Sequence, residues 1–135
     1  MEQSIELEIP AQPEFVGIAR MAVSALASMR PGLPYDRIDD LRIVVSEACT
    51  SAIEAAGIGG PGGRIRLVCL DGPERLEVRV ETDEASFSPV LAEDHAGING
   101  DRDDLRMSLM RALVDEVEVA SAGSELRLVV LRQLA

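Results

Sequence analysis

Ile5, Leu7 and Ile9 alternate with Glu6 and Glu8, a period of two that predicts a half-buried strand. Pro10 ends it, and Pro13 suits the first turn of a following helix. From Glu14 to about Met29, Phe15, Ile18, Ala19, Ala22, Leu26 and Met29 recur at helical spacing, until Pro31-Gly32-Leu33-Pro34 breaks the pattern. A second helix is predicted from about Asp36 to about Ala56. Its stripe is Ile38, Leu41, Val45, Ala48 and Ala52, with Val44 and Ile53 beside it. Asp36, Asp39 and Asp40 place negative charge in its first turns, where the helix dipole favours it.

The run Gly57-Ile58-Gly59-Gly60-Pro61-Gly62-Gly63 stops that helix. No Lys-Ser/Thr pair and no new helix follow it, so it reads as a helix-to-strand link and not as a phosphate loop. Ile65, Leu67 and Cys69 alternate next, and Asp71-Gly72-Pro73 turns the chain. In the following strand Leu76, Val78, Val80 and Thr82 share one face, and Glu77, Arg79, Glu81 and Asp83 the other. Residues 84 to 100 read as loop. Leu105, Leu109, Ala112 and Leu113 mark a third helix, Val117 and Val119 a short strand, and Leu126 to about Leu131 a last one after the turn Ala122-Gly123-Ser124. The order β-α-α-β-β-loop-α-β-β predicts an α+β fold: a two-layer α/β sandwich with helices on one face of a largely antiparallel sheet. Residues 1–135 are expected to form a single domain, without an internal repeat or a boundary.

Composition narrows the function classes. The chain is 47% hydrophobic and 27% charged, with 13 Lys plus Arg against 24 Asp plus Glu for a net charge of −11. An electrostatic nucleic-acid binder needs clustered basic residues, and an anionic lipid surface makes the same demand. Neither partner is expected. No run approaches a membrane span, and the acidic start lacks the basic region of a secretory leader, so a cytoplasmic location is expected. Cys49 and Cys69 lie in apolar segments and read as small core residues. His95 lies in the loop stretch near Gly97 and Asn99, and reads as a solvated side chain.

Candidate chemistry gathers in Val45-Ser46-Glu47-Ala48-Cys49-Thr50-Ser51. Glu47 and Ser51 are four apart and share a helix face. Spacing alone leaves two readings open: a general base on the sheet-facing side, or a glutamate at the edge of the stripe that reaches water. The segment Val45-Ser46-Glu47-Ala48-Cys49-Thr50 resembles the N-box of the bacterial anti-sigma factor and serine-protein kinase family of the RsbW and SpoIIAB type, within the histidine-kinase-like ATPase superfamily. The likeness extends from about Ile5 to Leu131. It includes Ile9 to Gly17 at the first strand and helix, Arg75-Leu76-Glu77-Val78 and Ser86-Phe87 around the second box, and Ala112 to Val117 after the third.

The resemblance implies the histidine-kinase-like ATPase fold and a protein that holds a sigma factor away from RNA polymerase. It also implies serine/threonine-protein kinase activity toward a STAS-domain anti-anti-sigma protein, with Mg-ATP as cofactor, and a homodimer. Such partner switching would serve stress response or development. Carried onto this chain, Glu47 matches the glutamate that activates the attacking serine, and Ser51 stands where an asparagine holds magnesium. Thr82 replaces the adenine-reading aspartate and Glu84 a glycine of the second box. Asp104 and Arg106 replace glycines of the third, and the stretch 88–102 is short for the family's nucleotide lid. Arg20 falls at an arginine that the family uses for partner contact. The expectation is therefore an anti-sigma-type regulator that binds a sigma factor or a STAS protein, or both, with no cofactor. The alternative is an active ATP-dependent serine-protein kinase and anti-sigma factor.

Overall fold

The computed structural model describes residues 3–58, 63–73, 75–82, 98–119 and 125–132. Strand β1 (Gln3–Pro10) leads through a 3-10 turn (Pro13–Phe15) into α1 (Val16–Ser28) and α2 (Tyr35–Ile58). Then come β2 (Arg64–Asp71), β3 (Arg75–Thr82), α3 (Ile98–Leu113), β4 (Glu116–Val119) and β5 (Glu125–Arg132). The strands form one sheet in the order β1-β2-β3-β5-β4, every neighbouring pair antiparallel. The predicted α+β sandwich is this fold.

Register follows the alternation read from the sequence. Ile9 stands opposite Ile65, and Ile65 opposite Thr82; Leu7, Leu67 and Val80 make the next row, and Ile5, Cys69 and Val78 the one after. Leu76, Val78, Val80 and Thr82 are all buried, as their common face requires. Against that face lies α2, whose stripe of Ile38, Leu41, Val45, Ala48 and Ala52 is buried together with Val44. Burying each of the larger aliphatic side chains stabilises the fold by roughly 1.5–3 kcal/mol.

The other two helices are rotated from their predicted stripes. In α1 the buried residues are Ala19, Val23, Ser24, Leu26 and Ala27, whereas Ile18, Ala22 and Met29 are exposed. This helix is apolar nearly all round, so periodicity does not choose its face; small Ala19 and Ala27 turn inward as the helix packs on α2. In α3 the buried residues include Arg106, Met107 and Met110, and Leu105 is 72% exposed with Leu109 and Ala112 also outward. An arginine with partners on α2 sets that rotation, and Met110, one turn further, follows it inward. The helix also starts at Ile98, inside the stretch read as loop.

Two polar contacts fix the margins of the sandwich. Arg30, beyond the end of α1, pairs with Asp71 and donates to the carbonyl of Gly72 at 2.8 Å, tying the α1–α2 connection to the β2–β3 turn. Glu77 lies on the face of the sheet turned from the helices, yet its side chain is only 3% exposed. Arg75 and Arg79 cover it, the latter donating from Nε at 2.6 Å. Among the described residues no helix is long and apolar enough to cross a membrane.

Cys49 and Cys69 are free thiols, both buried as predicted. Burial pushes Cys49 up to about 12 and Cys69 up to about 11, from an ordinary value of 9.0. Their values are raised on folding, so the thiols' contribution is complete below pH 9.0 and is lost as pH rises toward 11 to 12. Two outcomes are expected. Native protein near neutral pH leaves both thiols unmodified by a colorimetric disulfide reagent over minutes, and unfolding releases both. The melting temperature falls above pH 9.0, and falls less in Cys49→Ala.

Candidate functional site

The face of α2 that carries Glu47 and Ser51 meets α3. Glu47, Ser51 and Glu54 are spaced by four and three residues, so they line one side of the helix. Ser51 is fully buried, and its hydroxyl donates to the backbone carbonyl of Glu47 at 3.0 Å. From α3, the side chain of Arg106 reaches into this face and is 7% exposed. All three nitrogens of its guanidinium are engaged. Nε lies 3.2 Å from Glu47 Oε2, and Nη1 donates to Ser51 Oγ at 3.1 Å and to Glu54 Oε2 at 2.9 Å. Nη2 donates to Glu54 Oε1 at 3.2 Å. The pairing with Glu54 is bidentate, the geometry in which arginine binds carboxylate best.

This assembly joins three of the sequence-predicted site residues, Glu47, Ser51 and Arg106. Glu47 is neither wholly solvated nor free to act alone, because its carboxylate pairs with a cation. Thr82 is buried at the last position of β3, on the same face as Val80. Asp104 lies within α3, and Glu84, Asp83 and His95 fall outside the described residues, as do residues 88–97 of the short lid stretch. Arg20 is apart from the cluster: exposed on α1, it donates from Nη1 to Ser46 Oγ at 3.3 Å. Sequence reasoning missed Glu54. The 47-51-54 spacing was its signal, and an acidic residue one turn beyond Ser51 is what a buried arginine opposite would demand.

Comparison with known proteins gives the family. The profile of the histidine kinase-like ATPase domain matches residues 9–130. The serine-protein kinase RsbW of Bacillus pumilus is 39% identical over 130 residues, covering 88% of this chain and 80% of the relative. The protein of that name from Bacillus subtilis is 39% identical over 127 residues, covering 85% and 76%, and that from Listeria monocytogenes serotype 4a 34% over 127 residues, covering 88% and 80%. The chain belongs to the RsbW and SpoIIAB type of histidine kinase-like ATPase domain.

An active kinase of this family implies Mg-ATP, so the residues present must be tested against a divalent ion at the N-box. They do not fit one. Ser51 already accepts from Arg106 and donates to the helix backbone, and Glu47 is paired. Two unit charges about 4 Å apart interact by about 4 kcal/mol at an effective dielectric of 20, so a dication beside the guanidinium would meet a repulsion of roughly 8 kcal/mol. In this arrangement the guanidinium is the cation that Ser51 and Glu47 meet.

The cluster makes an energetic prediction. Because Glu54 takes two hydrogen bonds from Arg106 and Glu47 takes a single contact, the coupling should be unequal. In double-mutant cycles by chemical denaturation, Arg106→Ala with Glu54→Gln should give a coupling of about 1–2 kcal/mol, discounted for the partial exposure of the glutamate. The cycle with Glu47→Gln should give about half as much, on the order of 0.5–1 kcal/mol. Equal couplings would mean that the fork is not made.

Proposed function

We propose that this chain is an anti-sigma-type regulator: it captures a sigma factor or a STAS-domain anti-anti-sigma protein, and controls transcription without productive nucleotide binding. The observation that carries this reading is the Arg106 guanidinium set between Glu47, Ser51 and Glu54. In the family's scheme Glu47 activates a serine for phosphoryl transfer, a reaction that depends on positioned metal and phosphates. Here its carboxylate is a counter-ion to arginine. Thr82, Glu84 and Asp104 support the same reading, since each differs from what the family's nucleotide pocket places at that position.

A second reading, the active ATP-dependent serine-protein kinase, is favoured by the retained glutamate and by the relatives, which bear the name serine-protein kinase. Calorimetric titration separates the two. The regulator shows no saturable heat with millimolar Mg-ATP or Mg-ADP; saturable binding by the unaltered chain would overturn this reading. Ser51→Asn alone should not create binding, because the larger amide would enter a fully buried position already filled by the guanidinium. Recovery should need Ser51→Asn, Thr82→Asp, Glu84→Gly, Asp104→Gly and Arg106→Gly together.

Partner capture falls in this proposal to the α1–α2 surface, in a chain that acts as a homodimer. Arg20 is exposed there and steadied by Ser46, with Ile18 and Met21 outward on the same helix and Ile43 one turn before Ser46. An arginine amid exposed apolar side chains has the composition of an interface hot spot. Arg20→Ala should weaken the complex with the sigma or STAS partner more than tenfold, which corresponds to roughly 1.4 kcal/mol or more. Glu47→Gln should change it less than twofold. Titration of the co-purified partner, with melting curves of both variants as a folding check, measures this; the reverse ranking would return the function to the cleft.

A further inference from the structure

We infer that the outward face of α1 is where two copies of this chain meet, antiparallel about a two-fold axis between Ala22 and Ala25. The inference rests on the reading of the chain as a homodimer, and names the surface that makes it one.

Ile18, Met21, Ala22, Ala25 and Met29 recur at i, i+3, i+4, i+7 and i+11 along α1 and its C-cap, and all five are exposed. Met21 and Met29 are 72% and 79% exposed, and with Ile18 they set three large apolar side chains on one helix face. Charge says which partner suits this face. The chain carries −11, so two copies repel wherever their carboxylates meet. Of the described helices and strands, α1 alone has neither Asp nor Glu. Its single charged residue, Arg20, points another way. With about 3.6 residues per turn it stands about 160° around the helix from Ile18, and it reaches Ser46 on α2.

The face is also complementary to itself. From Ile18 through Ala22 and Ala25 to Met29 the steps are four, three and four, the same in both directions. A two-fold axis therefore sets Ala22 against Ala25 of the second copy, and Ile18 against its Met29. Small residues at the centre let two crossing helices approach closely, and the larger ones fill the space where the axes diverge. A second copy thus covers the apolar surface that α1 leaves bare and brings no carboxylate of α1 into the contact. Arg20 and Ser46 stay on the α2 side, so each copy keeps its capture surface, with Ile18 and Met21 where the two surfaces adjoin.

Sedimentation of the purified full chain tests this without any other protein present. At about 50 µM the unaltered chain should run as a dimer, since a contact below standard size still gives micromolar association. Ala22→Arg and Ala25→Glu should each weaken self-association about tenfold or more, while Arg20→Ala should change it less than about twofold. An equimolar mixture of the first two variants should pair again, because each arginine then faces a glutamate across the axis. Both positions are exposed, and melting curves check that the variants fold. A second measurement does not depend on those variants. Ala22→Cys and Ala25→Cys chains, mixed and mildly oxidised, should form the crossed disulfide in preference to either like pair, the native Cys49 and Cys69 being buried. A dimer that Ala22→Arg and Ala25→Glu leave intact, a mixture that does not pair, or like-pair disulfides in excess overturns this inference and leaves the homodimer reading standing. A monomeric unaltered chain overturns both. If it is monomeric and the two variants weaken capture of the sigma or STAS protein, the face belongs to that partner and not to a second copy.

Discussion

A guanidinium withdrawn from water has to be met by carboxylates, and where they stand decides which way its helix faces. Arg106 meets that constraint with Glu47 and Glu54, both on α2. An arginine cannot be deprotonated to escape burial, so breaking these contacts leaves a charge stranded between the two helices. The orientation of α3 follows. Met107 and Met110 go to the core, and Leu105 and Leu109 are left outward. The contact between α2 and α3 then closes the helical layer over β3 and β4. A bidentate ion pair thus does structural work between α2 and α3.

The same contact changes what the retained glutamate can do. A general base must be within reach of the proton it removes and must be free to accept it. Glu47 is on α2 and partly exposed, but its carboxylate is paired with a permanently charged side chain. Ser51, fully buried, spends its hydroxyl on the helix backbone and on that same arginine. Kinship with proteins named serine-protein kinases therefore gives the fold and the family of this chain, while the side chains between α2 and α3 argue for a different use of the cleft.

Much of the architecture was legible because strands with one buried face write their period plainly. The alternation of Leu76, Val78, Val80 and Thr82 with charged residues determined the buried face of β3. The stripe on α2 was equally direct, and Ile38, Leu41, Val45, Ala48 and Ala52 are all buried. The faces of α1 and α3 were not. In α1 apolar residues surround the helix and several alanines bury as readily as isoleucine, so periodicity carries little information. In α3 leucines at 105 and 109 suggested one face, and a single arginine overruled them by finding partners far away in sequence. The candidate site was half legible for the same reason. Glu47, Ser51 and Arg106 were visible as family positions, but their juxtaposition, and the part of Glu54 in it, depend on a helix–helix contact spanning more than fifty residues. Glu77 is a parallel case: its alternation put it on the charged face of β3, and only Arg75 and Arg79 folding over it make it buried.

The surface that remains for partners is set by what the core has already used. With α2 clamped by α3 on one side and packed on α1 on the other, Arg20, Ile18, Met21 and Ile43 are outward. They do not share residues with the Arg106 cluster, so capture of a protein need not involve the cleft. The central claim is that the chain's own arginine fills the space between Glu47, Ser51 and Glu54. A crystal structure determined from crystals grown with saturating Mg2+ and a non-hydrolysable ATP analogue tests it most directly. The account predicts the Arg106 guanidinium between Glu47, Ser51 and Glu54, with neither metal nor phosphate density there. A metal ion bound at Ser51 with nucleotide phosphates beside it, and Arg106 swung out, would contradict it.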